Sequence, residues 1–254
     1  MDQAAIDEVA RLFLHARRTG ERLDPLPARL APKSFAESCA VMDALDRLVG
    51  EPSAGTKIAA KPGAEVVYAP LHASRVFMSP ARIPRALSPS QFMECEISFR
   101  LVRDLPPRGT AYSEQEVFDA LEACPAFELV DSRFRDLNAA MAKTPYEFYA
   151  DHIANGAMVF GSFRRDWQKF DFTRIRVSMK QDGRTVVEKT GGHPTGNPAM
   201  PAVVLANLRR STTGLKAGTF VVTGSFTGYH PVELNKPVMG EFEGFGTMEA
   251  AITG

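Results

Sequence analysis

Apolar and polar positions change their period once along this chain, near residue 52. Before that point they recur at helical spacing. Ile6, Val9, Leu12 and Phe13 follow Asp2, a residue type that caps helix N-termini. Phe35, Cys39, Val41, Met42, Leu45 and Leu48 follow Ser34 and Glu37, which have capping-box spacing, and Gly50 closes that second helix. The Pro- and Arg-rich stretch from Gly20 to Pro32 connects the two. Beyond it, Gly55 to Lys61 reads as a strand with Lys57 inside, and prolines and glycines from Pro62 to Pro89 predict loops and edge strands. A strand follows from Phe92 toward Val102. Ser113 and Glu116 form another capping box, opening a helix expected to end at Pro125. Ala126 to Val130 is the next strand. Thr144, Pro145 and Glu147 start a helix expected to carry Asp151 and His152 and to stop near Gly156. Ile175, Val177 and Met179 alternate with Arg176, Ser178 and Lys180, and Asp182-Gly183 turns the chain back into Val186-Val187. A helix over Ala199 to Arg210, a short strand over Phe220 to Thr223 and a hairpin over Gly240 to Ile252 complete the pattern.

Strand signals dominate without a strand–helix–strand rhythm, and no solenoid-length repeat is present. The pattern predicts an α+β chain. A small N-terminal helical part (residues 1–52) precedes a β-rich domain (residues 53–254) built as a mixed roll or barrel with flanking helices.

Composition narrows the function. The 254 residues are 44% hydrophobic and 24% charged, and thirty Asp and Glu balance thirty Lys and Arg. No basic stripe points to nucleic acid. No apolar run approaches the roughly 18 residues of a membrane span, and Met1-Asp2-Gln3 does not open a signal peptide. Cys39, Cys95 and Cys124 are scattered, as free thiols in a reducing compartment would be. The expectation is a cytoplasmic protein acting on a small molecule.

The chemistry centres on Glu94-Cys95-Glu96 and on Glu128, acids inside apolar strands. Side chains two apart on a strand share a face, so Glu94 and Glu96 point the same way. Inward carboxylates need a cation or hydrogen bonds, and a magnesium or manganese ion supplies the first. The competing reading is a solvated sheet face with Glu128 as an unrelated third acid. Lys57 either snorkels to the surface or balances the site's charge. Asp151 and His152 either position a water or form an ordinary exposed pair. His193, in Gly-Gly-His-Pro, either lines a cleft or is a plain loop residue. Thr223, beside the Gly224 to Gly228 loop, is placed to meet a carboxylate. Ser225 is offset from a nucleophile elbow. Glu241 and Glu243 repeat the spacing without a distant third acid, as an exposed hairpin would.

Taken together, these pieces resemble the 2-oxo-4-pentenoate hydratase branch of the fumarylacetoacetate hydrolase superfamily. The matching stretches are Gly55-Thr56-Lys57-Ile58, Glu94-Cys95-Glu96-Ile97 with Arg103-Asp104-Leu105-Pro106, and Phe127 to Arg133 with Arg135-Asp136. Ala150-Asp151-His152 with Gly161, then Gly192-His193-Pro194 and Thr223-Gly224, continue the order. The resemblance implies the superfamily's C-terminal roll, a magnesium or manganese site at Glu94, Glu96 and Glu128, an active-site lysine at Lys57, and a homodimer or larger homo-oligomer. It also implies a reaction in which a short 2-hydroxydienoate ketonises and takes up water, giving a 4-hydroxy-2-oxo acid. Three departures stand out. Ser74 occupies a position where relatives often carry an acid, so it is the expected substrate contact there. Asp151-His152 replaces Asp-Asn, and Gly-Thr precedes the lysine in place of an aromatic. The alternatives are an oxalocrotonate-type decarboxylase, an acylpyruvate C–C hydrolase using His152 or His72, and a non-catalytic oxo-acid-binding paralogue.

Overall fold

A computed structural model describes residues 1–254. Helices α1 (Gln3–Thr19) and α2 (Phe35–Val49) start where their caps predict. The Asp2 carboxylate accepts from the Ala5 N–H at 2.8 Å and the Ser34 hydroxyl accepts from the Glu37 N–H at 3.2 Å. Both end at a left-handed glycine, Gly20 and Gly50. Their apolar stripes pack on one another. They share a core with Val67, Ala69, Val130, Phe134, Phe148 and Ile153 from the rest of the chain.

The strands are β1 (Ser53–Ala59), β2 (Val67–His72), β3 (Val76–Met78), β4 (Ala81–Pro84), β5 (Phe92–Leu101), β6 (Leu121–Val130) and β7 (Asn155–Phe160). They continue with β8 (Arg176–Gln181), β9 (Arg184–Thr190), β10 (Phe220–Val222), β11 (His230–Pro231), β12 (Val238–Phe242) and β13 (Gly246–Thr253). One curled sheet runs β2-β1-β10-β5-β6-β7-β3, with β11 added at the start of β5. A five-stranded sheet runs β4-β13-β12-β8-β9. The short strands β2, β3 and β4, cut from the Pro- and Gly-rich stretch, all lie at sheet edges, where a missing N–H is tolerated. Asp182 and Gly183 take positive φ at the β8–β9 hairpin, as the sequence pattern requires.

Alternation along β5, β6 and β7 sorts the core. Met93, Cys95, Ile97 and Phe99 point to the same side as Phe127, Leu129, Ala157 and Val159, and pack with Phe242 and Met248 of the second sheet. The other face of the curled sheet carries Glu94, Glu96 and Glu128 beside Ala126, Met158, Phe160 and Val222. The fold thus uses one face of β5–β6 for packing and the opposite face for its charged groups.

Two predicted boundaries move. Helix α3 (Glu114–Phe118) is a single turn behind its capping box, and Pro125 lies inside β6 instead of ending a helix. The proline fits because ladder pairing with β7 begins only at Ala126, and its carbonyl accepts from the Gly161 N–H at 2.8 Å. After α4 (Leu137–Lys143), helix α5 (Pro145–Ala150) stops at Asp151, so it does not carry His152. Residues 152–154 instead form a tight turn in which His152, Ile153 and Ala154 all have positive φ. The remaining helix is α6 (Met200–Arg209). No helix is long and apolar enough to cross a membrane.

The parallel pair β1–β10 depends on Gly55. A Cβ there would lie 2.2 Å from the Phe220 carbonyl oxygen. Gly55→Ala is expected to destabilise the protein by about 1–3 kcal/mol through forced backbone displacement. Because Lys57 is two residues away on the same strand, the substitution should also shift it, measurable by urea denaturation together with divalent-ion titration.

Candidate active site

Glu94 and Glu128 are direct cross-strand partners on β5 and β6, and Glu96 follows on the same face opposite Ala126. Like charges so placed repel. All three side chains are buried, and one carboxylate oxygen from each lies within 4.8 Å of the others. Lys57 Nζ reaches from β1 to Glu128 Oε1 at 2.5 Å and to the Ile153 carbonyl at 3.0 Å. Asn155 Nδ2 donates to the same Glu128 oxygen at 3.2 Å, and the Gly224 N–H donates to Glu96 Oε2 at 3.3 Å. The Ser225 hydroxyl sits against Glu94. Glu96 Oε1 and Glu128 Oε2 are left buried with no partner.

Burial, and then the charge of Glu128, push the Glu94 carboxyl up to about 8 and hold Glu96 well above the carboxylate range. Burial works against the Lys57 ammonium, but the charges of Glu128, Glu94 and Glu96 outweigh it and raise its pKa. Three carboxylates facing one ammonium leave an excess that a single divalent cation cancels. The donor set is all oxygen, two of its oxygens are orphaned, and protons are held because the acids are buried and crowded. A hard ion such as magnesium or manganese fits that combination.

The turn at residues 152–154 serves this site. Left-handed backbone costs roughly 1–2 kcal/mol per non-glycine residue, so three in a row persist only where the surroundings determine them. Here the Asp151 carboxylate anchors the turn. It accepts from Arg133 Nε at 2.5 Å, the Arg133 N–H at 2.8 Å and the Ser132 hydroxyl at 3.2 Å, fully buried. The result puts the Ile153 carbonyl under Lys57 and Asn155 beside Glu128.

The sequence-derived site residues therefore separate. Glu94, Glu96, Glu128 and Lys57 converge. Asp151 does not face them; its carboxylate is engaged by Arg133 and Ser132, a structural role in place of the expected catalytic one. His152 turns to Asp46 and His72, away from a catalytic position at the triad. Ser74 is exposed, and its N–H donates to Glu51 at 3.0 Å. The Thr223 hydroxyl bonds the Ile97 carbonyl at 3.3 Å, and only the adjoining Gly224 N–H meets a carboxylate. His193 does not line the site directly. Its Nε2 donates to the Thr223 carbonyl at 3.0 Å and so supports that turn. Glu241 and Glu243 are exposed beside Arg176 and Lys180. Pattern reading missed Asn155, whose one signal was an amide beside a glycine in an apolar run. It also missed Asp46, which looks like any polar residue of an amphipathic helix.

Burial lowers the His193 imidazole to about 4. Its folded pKa thus lies below the unfolded value, so the unfolded chain binds the extra proton between about 6.5 and 4. The stability this contributes is present above pH 6.5 and drains away as pH falls to 4. NMR titration should show two imidazoles still neutral at pH 5, those of His193 and His152, and one of the two should be missing from His193→Asn.

No family model matches the chain. Among solved structures, 4-oxalocrotonate decarboxylase from Pseudomonas putida G7, complexed with magnesium and adipate, superposes with a TM-score of 0.81. That match covers 99% of this chain and 98% of that one at 18% identity. Fumarylacetoacetate hydrolase from Exiguobacterium antarcticum gives 0.58 at 13% identity, over 80% of this chain and 76% of that one. The chain thus shares the fold of these two enzymes, and its sequence is similar to those of curated proteins of related chemistry. The curated relatives it matches are named for hydratases and for 4-oxalocrotonate decarboxylases. The 2-keto-4-pentenoate hydratase of Paraburkholderia phymatum is 27% identical over 187 residues, 73% of this chain and 70% of the relative. The 2-hydroxyhexa-2,4-dienoate hydratase of Comamonas testosteroni is 30% identical over 162 residues, 63% and 59% respectively.

Proposed function

We propose that this protein is a metal-dependent hydratase that converts a short 2-hydroxy-2,4-dienoate, through its 2-oxo-3-enoate tautomer, into a 4-hydroxy-2-oxo acid. The observation that carries the reading is the buried triad Glu94, Glu96 and Glu128 with two orphaned oxygens and Lys57 at its edge. The homologues named 2-keto-4-pentenoate hydratase support the substrate class. Glu94, Glu96 and Glu128 would hold a magnesium or manganese ion, which when bound supplies positive charge for an oxo acid's oxygens.

Net, one water is consumed. The enol O–H proton is lost and C5 gains one, moving the double bond into conjugation with the ketone. Water then gives its hydroxyl to C4 and a proton to C3. The chain's part is to bind and orient an anion and to keep water ordered. Lys57 is the one ammonium directed at the triad, and it holds its proton at Nζ for the substrate's carboxylate or 2-oxygen. The Gly224 N–H and Asn155 amide fix Glu96 and Glu128, so the carboxylates do not swing when substrate arrives. His193 holds the 223–224 turn and acts as a positioning residue.

The test is an ultraviolet assay of the chain against 2-hydroxypentadienoate, oxalocrotonate and an acylpyruvate, with magnesium and with EDTA. Magnesium-dependent loss of dienoate absorbance with formation of the 4-hydroxy-2-oxo acid is expected. Release of carbon dioxide from oxalocrotonate alone would move the protein to the decarboxylase reading, which a 27% identical relative named 4-oxalocrotonate decarboxylase also favours. Ligand-induced stabilisation without turnover would make it a binding paralogue. The active form is proposed to be a cytoplasmic homodimer or larger assembly, and light scattering at micromolar concentration should exceed the 27.8 kDa of one chain.

A further inference from the structure

A second cluster of metal-ligating side chains lies outside the triad. Asp46, in the last turn of α2, meets His72 at the end of β2 and His152 in the left-handed turn. His72 Nε2 is 2.8 Å from Asp46 Oδ1, and His152 Nε2 is 3.2 Å from the same oxygen. The three donor atoms all lie within 4.8 Å of one another. We propose that Asp46, His72 and His152 form a second metal site, one that takes a borderline transition cation such as zinc or cobalt and not magnesium.

Several observations converge on it. Both histidines are buried, and His152 Nε2 makes no hydrogen bond although Asp46 is close, so its lone pair or proton points beside the carboxylate oxygen and not at it. A tetrahedral ion with bonds of about 2.0–2.1 Å sets its donors about 3.3 Å apart, so the 2.8 Å and 3.2 Å separations from Asp46 Oδ1 have to open by only about 0.5 Å or less. Asp46 is half-exposed, which leaves an entry path and room for a water as fourth ligand. Glu51 Oε1 stands 4.0 Å from His72 Nδ1, beyond hydrogen-bond range but on the side of the ring from which a carboxylate can orient a ligating imidazole. Two nitrogens and one oxygen favour zinc-class ions, whereas the all-oxygen triad favours a hard ion, so the two sites sort cations by chemistry. Occupancy would tie α2 to the strained turn whose Ile153 carbonyl receives Lys57.

One group opposes the ion. Arg17 Nη2 lies 3.1 Å from His152 Nδ1 and donates to it when no metal is bound, which leaves the ring proton on Nε2. Metal at Nε2 requires that proton to move to Nδ1 or leave, and Arg17 must then turn away. Asp151 Oδ1, 3.7 Å from the same guanidinium nitrogen, is the waiting partner. Arg17 is therefore a brake, and removing it should tighten binding.

The experiment saturates the protein with magnesium, which fills the oxygen site, and then titrates cobalt. One cobalt per chain is expected, with the strong visible absorption of a histidine-ligated site of low coordination number, displaced by zinc. His72→Gln and His152→Asn should each remove that band and weaken binding at least about tenfold, and Arg17→Met should strengthen it several-fold. A weak octahedral spectrum alone, or a strong band indifferent to both histidine substitutions, would overturn the proposal. Should either histidine variant fail to fold, Glu96→Gln decides. With the triad crippled, a retained strong band supports the second site, and its loss rejects it. Neither result depends on hydratase turnover.

Discussion

Glu96→Gln should reverse the order of stability between wild type and variant according to whether a divalent ion is present. The substitution keeps the side chain's size but replaces one of three crowded, buried acids with a neutral amide that cannot ionise to ligate a cation. Without metal the variant is expected to be at least as stable as wild type, because burial and the neighbouring acids already hold Glu96 protonated, so a neutral amide replaces a neutral acid. With metal the order inverts. An ion at about 100 times its dissociation constant stabilises wild type by about 2.7 kcal/mol, roughly 5–10 °C in melting temperature for a chain of this size. Losing an inner ligand should weaken affinity by at least about 100-fold, since loss of an outer-shell partner alone weakens it 10–100-fold. At the same ion concentration the variant then gains only about 0.4 kcal/mol. Thermal melts of both proteins in EDTA and in magnesium read all four values. Equal magnesium shifts would exclude Glu96 from the site.

Lys57→Met should have the larger effect on the metal-free protein. Lys57 is the cation paired with Glu128 inside the curled sheet, and the methionine keeps the apolar stem while deleting the charge. Breaking a buried pair from one side costs about 3–5 kcal/mol, because the remaining carboxylate is left uncompensated. Glu128 would retain only the Asn155 amide. Magnesium supplies the missing positive charge, so the deficit should shrink markedly when the ion is added. Turnover should not recover with it, because the Nζ proton directed at the substrate is gone. Urea denaturation with and without magnesium, alongside the dienoate assay, separates the two roles. A lysine that merely snorkelled to the surface would move neither measurement.

Both results draw on features that differ in how far the chain displays them. The Glu-Cys-Glu triplet shows on its face that Glu94 and Glu96 share a side, because strand alternation is a property of the local backbone. The caps at Asp2, Ser34 and Ser113 and the Asp182-Gly183 hairpin were equally visible, since each is settled within four or five residues. Where the reading went astray, a non-local partner overrode a local rule. Pro125 signals a break in isolation, yet ten residues of β5 accept it inside a strand. Asp151 and His152, neighbours that looked like one catalytic pair, are pulled to opposite partners, Arg133 and Asp46.

By itself, then, the sequence determined which residues alternate, where helices and hairpins begin, and that three acids and one lysine sit in apolar strands. Tertiary structure alone decided that Glu128 stands directly across from Glu94, that their face is the one turned away from the second sheet, and that Asp46 meets His72 and His152. The reason is physical. Period and capping depend on neighbours along the chain. Register, sheet curvature and the meeting of α2 with a left-handed turn depend instead on closing long loops and packing distant surfaces, and no short window of residues contains those terms.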